Sequence, residues 1–248
     1  MQKLTEDDFQ DVKEDLKRGR ISPDTIRSGL GVFMVVSLII VGLSFYDVVA
    51  SDTLIGWNNL SLLWRTIFKA EAVLLILQLM LIIFVKGRSN WSQIVLSVSY
   101  VIYTYKMALD PFIMVSMFAK NDGEYEIYAP MILMIIIVGL IIHLYLIRRC
   151  FHELKNEYVE KDDQVKSEKG NVVFVVMPII FLLASVTGFI IRNQLLGDME
   201  NLFILGACTV VFIGLMIGTI EFVIGAYCVI RFPSFRVNPP TEKNRSMH

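Results

Sequence analysis

Residues 127–170 read IYAPMILMIIIVGLIIHLYLIRRCFHELKNEYVEKDDQVKSEKG. The first 21 of them, 127–147, contain no Asp, Glu, Lys or Arg. At 1.5 Å per residue, a helix of that length matches the roughly 30 Å hydrocarbon core of a bilayer. The next 23 residues, 148–170, carry six Lys or Arg. An apolar block that ends abruptly in a basic segment reads as a membrane span followed by a cytoplasmic loop.

The same reading extends outward. Apolar runs at 29–49, 62–85, 92–118, 171–191 and 201–230 join 127–148 to give six candidate spans. The 248 residues are 55% hydrophobic and 19% charged, with a mean hydropathy of +0.59. That balance excludes an ordinary soluble globule and a disordered chain. A formal net charge of -1 gives no basic field for nucleic acid. The first 28 residues are charged, so no cleavable signal peptide is expected there. Three cysteines, Cys150, Cys208 and Cys228, fall outside the segments assigned to the outer side, so no disulfide framework is expected.

Lysine and arginine set the orientation. The segments before span one, between spans two and three, after span four and after span six hold 18 of the 23 basic residues. The alternate connections hold only Lys120 and Arg192, and Arg65, Lys69 and Lys106 lie inside spans. The positive-inside rule then places both termini in the cytoplasm. The expected fold is an all-α six-transmembrane-helix bundle. A cytoplasmic amphipathic segment (1–28) precedes a membrane domain (29–230), a charged helical loop lies at 149–170, and a cytoplasmic tail covers 231–248. The short outer loops are acidic and leave no room for a soluble catalytic domain. Pro130 is expected in the first turn of span four, where its missing N–H costs nothing, and Pro178 is expected to kink span five.

Outside the spans, Phe9, Val12 and Leu16 fall on one helical face. This stripe is expected to pack on the protein's own cytoplasmic side, beneath a first span whose helix starts at Ser22-Pro23. After span four, Phe151, Leu154 and Tyr158 form a second stripe, with Glu157–Lys161 and Asp162–Lys166 as i,i+4 pairs.

The chemistry lies in the ionisable residues inside spans, which are costly there and face the bundle interior or water. Spans two and three form a hairpin, so residues whose numbers sum to about 177 share a depth. Glu71 is thereby level with Lys106, and Lys69 lies near the level of Asp110. Lys69 and Glu71 point in nearly opposite directions, so they do not both face span three. Ser99, Tyr103, Lys106 and Asp110 share one face, and Pro111 disfavours helical geometry at Asp110. Lys69, Glu71, Tyr103, Lys106 and Asp110 are the candidate intramembrane polar cluster. In span six, Gly214, Gly218 and Gly225 share a face with Glu221 at its edge, and Gly214–Gly218 form a GxxxG sequence. This is the candidate helix-packing or partner face.

His143, Cys150 and His152 do not have metal-ligand spacing. No HExxH, GxSxG, Walker A or glycine-rich nucleotide loop occurs. No enzyme activity, cofactor or metal is therefore expected. The expected role is that of a non-enzymatic accessory, immunity or scaffold subunit in a plasma membrane of bacterial type. Its partners are the lipid bilayer and another membrane protein or a second copy. The alternative is a small ion- or proton-coupled transporter using the charges of spans two, three and six.

Overall fold

A computed structural model describes residues 6, 9, 12–13, 16, 19, 21–49, 55–87, 89–156 and 200–236, the side chains of 153–156 excepted. The fifth apolar run, its Pro178, the two i,i+4 pairs after span four and the end of the C-terminal tail lie outside the described residues. Every regular element among the described residues is helical. Five of these described elements are long helices: α1 (Pro23–Val49), α2 (Leu62–Phe84), α3 (Asn90–Asn121), α4 (Tyr125–Asn156) and α5 (Glu200–Arg231). Four of them, α1, α2, α4 and α5, are long and apolar enough to cross a membrane.

The fifth long helix, α3, has the span length but more polar residues, and its position in the bundle explains how they are accommodated. It packs against α1, α4 and α5, while α2 lies along α1. Its buried residues cover most of the helix, leaving a strip of Trp91, Ile102 and Leu109 exposed, and include Gln93, Ser97, Thr104, Lys106, Asp110 and Ser116. The apolar helices instead keep one inward stripe and expose the rest. On α1 the stripe is Ile26, Leu30, Phe33, Ser37, Val41, Ser44 and Val48, a three- and four-residue alternation. Exposed residues such as Val35, Leu38, Ile39 and Leu43 cover its outer side.

Glycines set the close contacts. A Cβ at Gly139 of α4 would lie 2.2 Å from the Phe212 ring of α5, and one at Gly29 of α1 would lie 2.7 Å from the Tyr100 hydroxyl of α3. In the turn between α2 and α3, Gly87 takes φ +66, which favours glycine, and lies against Pro23 at the start of α1. Ser89 caps α3 by accepting from the Ser92 amide.

The start of α1, the α2–α3 turn, the last turns of α4 and the end of α5 meet at one end of the bundle, here called the hairpin end. The N-terminal stripe packs there. Phe9, Leu16 and Ile21 are buried, Phe9 sits against Tyr227 and Phe232, and Ile21 fills the space over Gly225. Glu6 bonds Lys13 at 2.8 Å and accepts from Ser234, and these two bonds hold its carboxyl below the usual range. At the opposite end, Asn201 donates to Asp122 at 2.8 Å and to Glu124 at 3.1 Å, fixing α5 to the α3–α4 turn.

Two proline expectations need correction. α4 begins at Tyr125, so Pro130 falls in its second turn rather than its first. The carbonyl freed there belongs to Glu126, which is exposed and near the helix end. Pro111 does not break α3, which runs unbroken from Asn90 to Asn121. Asp110 is held in helical register by bonds to two neighbouring side chains, described below.

Adding one methyl at Gly139 forces the fully buried Phe212 ring to move. Gly139→Ala is expected to destabilise the protein by about 1–3 kcal/mol, read as a lower unfolding temperature in detergent. Gly139→Ala combined with Phe212→Leu should recover most of the loss; an unaffected single variant would contradict the α4–α5 contact.

Candidate functional site

Near the middle of the bundle, three helices bring polar side chains to one point. Lys106 of α3 places its ammonium 2.5 Å from Glu71 Oε2 of α2. The same ammonium donates to both carboxylate oxygens of Asp110, at 3.1 and 2.8 Å, one turn further along α3. It also donates to Ser37 Oγ of α1, and Ser37 donates onward to Asp110 Oδ2. Asp110 is 0% exposed, and Lys106 and Glu71 are each 8% exposed.

Local sequence explains each position. Lys106 and Asp110 are four residues apart and therefore neighbours on one helix face. Glu71 belongs to the inward stripe of α2, Trp64, Phe68, Glu71 and Gln78, which follows helical spacing. Ser37 occupies the centre of the inward stripe of α1. A charged hydrogen bond in such surroundings is worth more than a neutral one, and leaving either charge alone is costly.

More bonds extend from the cluster toward the hairpin end. Tyr103 donates its hydroxyl to the Leu74 carbonyl at 2.9 Å, Gln78 donates to the Leu30 carbonyl at 2.9 Å, and Arg27 donates to the Ile82 carbonyl at 2.7 Å. These side chains tie α2 to α1 and α3 through backbone oxygens.

The structure joins Glu71, Lys106 and Asp110 and places Tyr103 one turn away on the same face. Lys69 does not join them. It is exposed, on the face of α2 that the helical phase turns away from Glu71. Ser37 in the cluster and Gln78 in the neighbouring tie to α1 are buried polar residues outside the sequence-derived set. Gln78 lies seven residues after Glu71, two helical turns on the same face, so spacing alone could have found it. Ser37 was legible as a polar residue in an apolar stripe, but only with the helix start at Pro23 fixed.

The glycine face of α5 divides. Gly225 is occupied by Ile21 of the N-terminal segment. At Gly218, nothing among the described residues lies within 4 Å of a Cβ. Gly214 and Glu221 are half-buried. Elsewhere, His143 of α4 is buried and bonds the Tyr105 hydroxyl of α3 at 2.6 Å. Among the described residues, no group of three or more His, Cys, Asp or Glu side chains could hold a metal ion.

No family model, curated protein or solved structure matches the chain.

Lys106→Met removes the ammonium and leaves Glu71 and Asp110 facing each other in an apolar bundle. Breaking a buried pair in this way costs roughly 3–5 kcal/mol, so the variant should unfold at a markedly lower temperature in detergent. Neutralising all three residues together (Lys106→Met, Glu71→Gln, Asp110→Asn) should restore much of the stability. A single variant as stable as the triple one would refute the coupling.

Proposed function

We propose that the chain is a six-span plasma-membrane protein with cytoplasmic termini that acts as a non-enzymatic accessory, immunity or scaffold subunit, bound to another membrane protein or to a second copy. One observation carries the reading. Three buried charges are spent on one another: a single ammonium takes Glu71 and Asp110, with the Ser37 hydroxyl beside them. An arrangement of this kind fixes the register of three helices. The clustering of Arg27, Lys86, Arg231 and Arg236 at the hairpin end supports a cytoplasmic placement of that end. The space beside Gly218, which no described residue fills, supports that stretch of α5 as the contact with the partner.

That space makes a clean test. Gly218→Leu meets no described neighbour, so it is expected to leave the fold stable while lowering co-purification of the partner in mild detergent by tenfold or more, about 1.4 kcal/mol. If wild type and variant both purify alone and equally stable, the subunit reading fails.

A second reading rests on stoichiometry. Two carboxylates share one ammonium, so the cluster has a formal excess of one negative charge that one proton or one small cation would balance. A small ion- or proton-coupled transporter would use that exchange, with Glu221 of α5 as a further acidic group. A cysteine placed at 103, one turn from the charges and leaving them intact, separates the two readings. Labelling by water-soluble thiol reagents from either side supports transport; complete protection supports the closed cluster.

A further inference from the structure

Between α2 and α3, toward the hairpin end, lies an open groove of about 430 Å³, within the size range of small-molecule sites, about 300–1,000 Å³. Its α2 wall runs from Leu74 to Val85, about three turns. Ile102, Tyr103 and Ser99 of α3 form the other wall. The one hydroxyl of Tyr103 is already donated to the Leu74 carbonyl, so the groove offers an almost wholly apolar surface. Leu77, Met80, Phe84 and Ile102 are each about half exposed or more.

The mouth of the groove has a different character. Lys86 follows the lining residue Val85 and is exposed. Arg27 reaches the last turn of α2 through its Nε bond to the Ile82 carbonyl, which leaves its two Nη groups outside that bond. α3 starts beside this turn with the positive end of its dipole there; Ser89 takes the Ser92 amide, and the Asn90 and Trp91 amides lie outside that capping bond. Trp91, 73% exposed, stands in that first turn, where indoles favour the lipid headgroup level. Among the described residues, Asp24 in the first turn of α1 is a carboxylate at this end, set against Lys86 and Arg27.

We infer that this groove binds one anionic phospholipid, its acyl chain along Leu74–Val85 and its phosphate at Lys86, Arg27 and the first turn of α3. The lining argues for a chain rather than a partner helix. Helices associate in lipid through Gly, Ala and Ser at close approach, whereas this groove is walled by Leu, Met, Phe and Ile with Ser99 as its one small residue. The charge at the mouth selects the headgroup, since each basic residue near the membrane surface contributes about 1 kcal/mol toward anionic lipid, or roughly fivefold. The inference rests on the membrane placement of α2 and α3 proposed above.

The test is native mass spectrometry of the detergent-purified full chain with added phosphatidylglycerol or phosphatidylcholine of identical acyl chains. Wild type is expected to retain one phosphatidylglycerol at a concentration roughly tenfold below that needed for phosphatidylcholine. Lys86→Gln should reduce that preference roughly fivefold without abolishing lipid retention. Leu77→Trp fills the groove from its exposed wall and should remove retention of both lipids at an unchanged unfolding temperature. Equal retention of the two lipids by wild type overturns the inference. So does full retention by Leu77→Trp, or a groove already held by a co-purifying protein. Membrane placement is checked separately: extraction of the chain by alkaline carbonate without detergent would defeat that reading, whereas an integral but lipid-indifferent protein defeats the groove alone.

Discussion

A lysine ammonium in the middle of an apolar bundle is the constraint on which the rest of this structure depends. Placing Lys106 at the centre of a membrane-length helix costs a few kcal/mol even by insertion scales, about 2.5–3.5. Asp110 offsets part of that within α3, but one carboxylate on the same helix cannot surround an ammonium. Glu71 from α2 and Ser37 from α1 complete the shell. The requirement therefore reaches beyond one pair. It fixes the rotation of α2, because Glu71 must point inward, and the rotation of α1, because only its Ser37 face supplies a hydroxyl at that depth.

The central place of α3 follows from the same cause. A helix with Gln93, Ser97, Thr104, Lys106, Asp110 and Ser116 in its interior surface is costly to expose to hydrocarbon, so its apolar neighbours enclose it. In the membrane placement proposed above there is little hydrophobic gain between helices, since tails are as apolar as leucine. Close packing and polar bonds have to hold the enclosure. Gly139 against Phe212 and Gly29 against Tyr100 supply the packing, and the Tyr103, Gln78 and Arg27 bonds to backbone carbonyls supply the polar ties.

Much of this was legible in the sequence, for identifiable reasons. Hairpin geometry equates depth with a constant sum of residue numbers, which paired Glu71 with Lys106. Helical phase turned Lys69 away from Glu71, and Lys69 is exposed. The spacing of Phe9, Val12 and Leu16 foretold a packed N-terminal segment, which lies against Tyr227, Phe232 and Phe235. Single-helix rules failed where a neighbour intervenes. Pro111 should have loosened the helix at Asp110, but Lys106 and Ser37 hold that residue. Gly225 was read as a surface for another helix, yet the chain's own Ile21 fills it. Contacts such as Tyr105 with His143 join residues 38 apart, and no local pattern reports them.

The distribution of the ties around α2 determines how the cluster could open. Lys106 and Asp110 ride on the same helix, so separating the charges means moving α2, which carries Glu71. On the hairpin side of Glu71, α2 is held by Leu74, Gln78 and Ile82 through side chain–backbone bonds. On the other side its contacts are aromatic: Phe68 against Phe45 and Trp57, and Trp64 against Tyr125. Ring contacts tolerate sliding and tilting better than hydrogen bonds tolerate stretching, because their energy is spread over many atoms and is not directional. A tilt of α2 would then pivot about its bonded half and part from α3 at the Trp64 end, exposing Glu71 first. The same polar contacts that favour a closed scaffold thus leave one direction in which the cluster could be reached, and the rigidity of α2 decides between the two readings of its function.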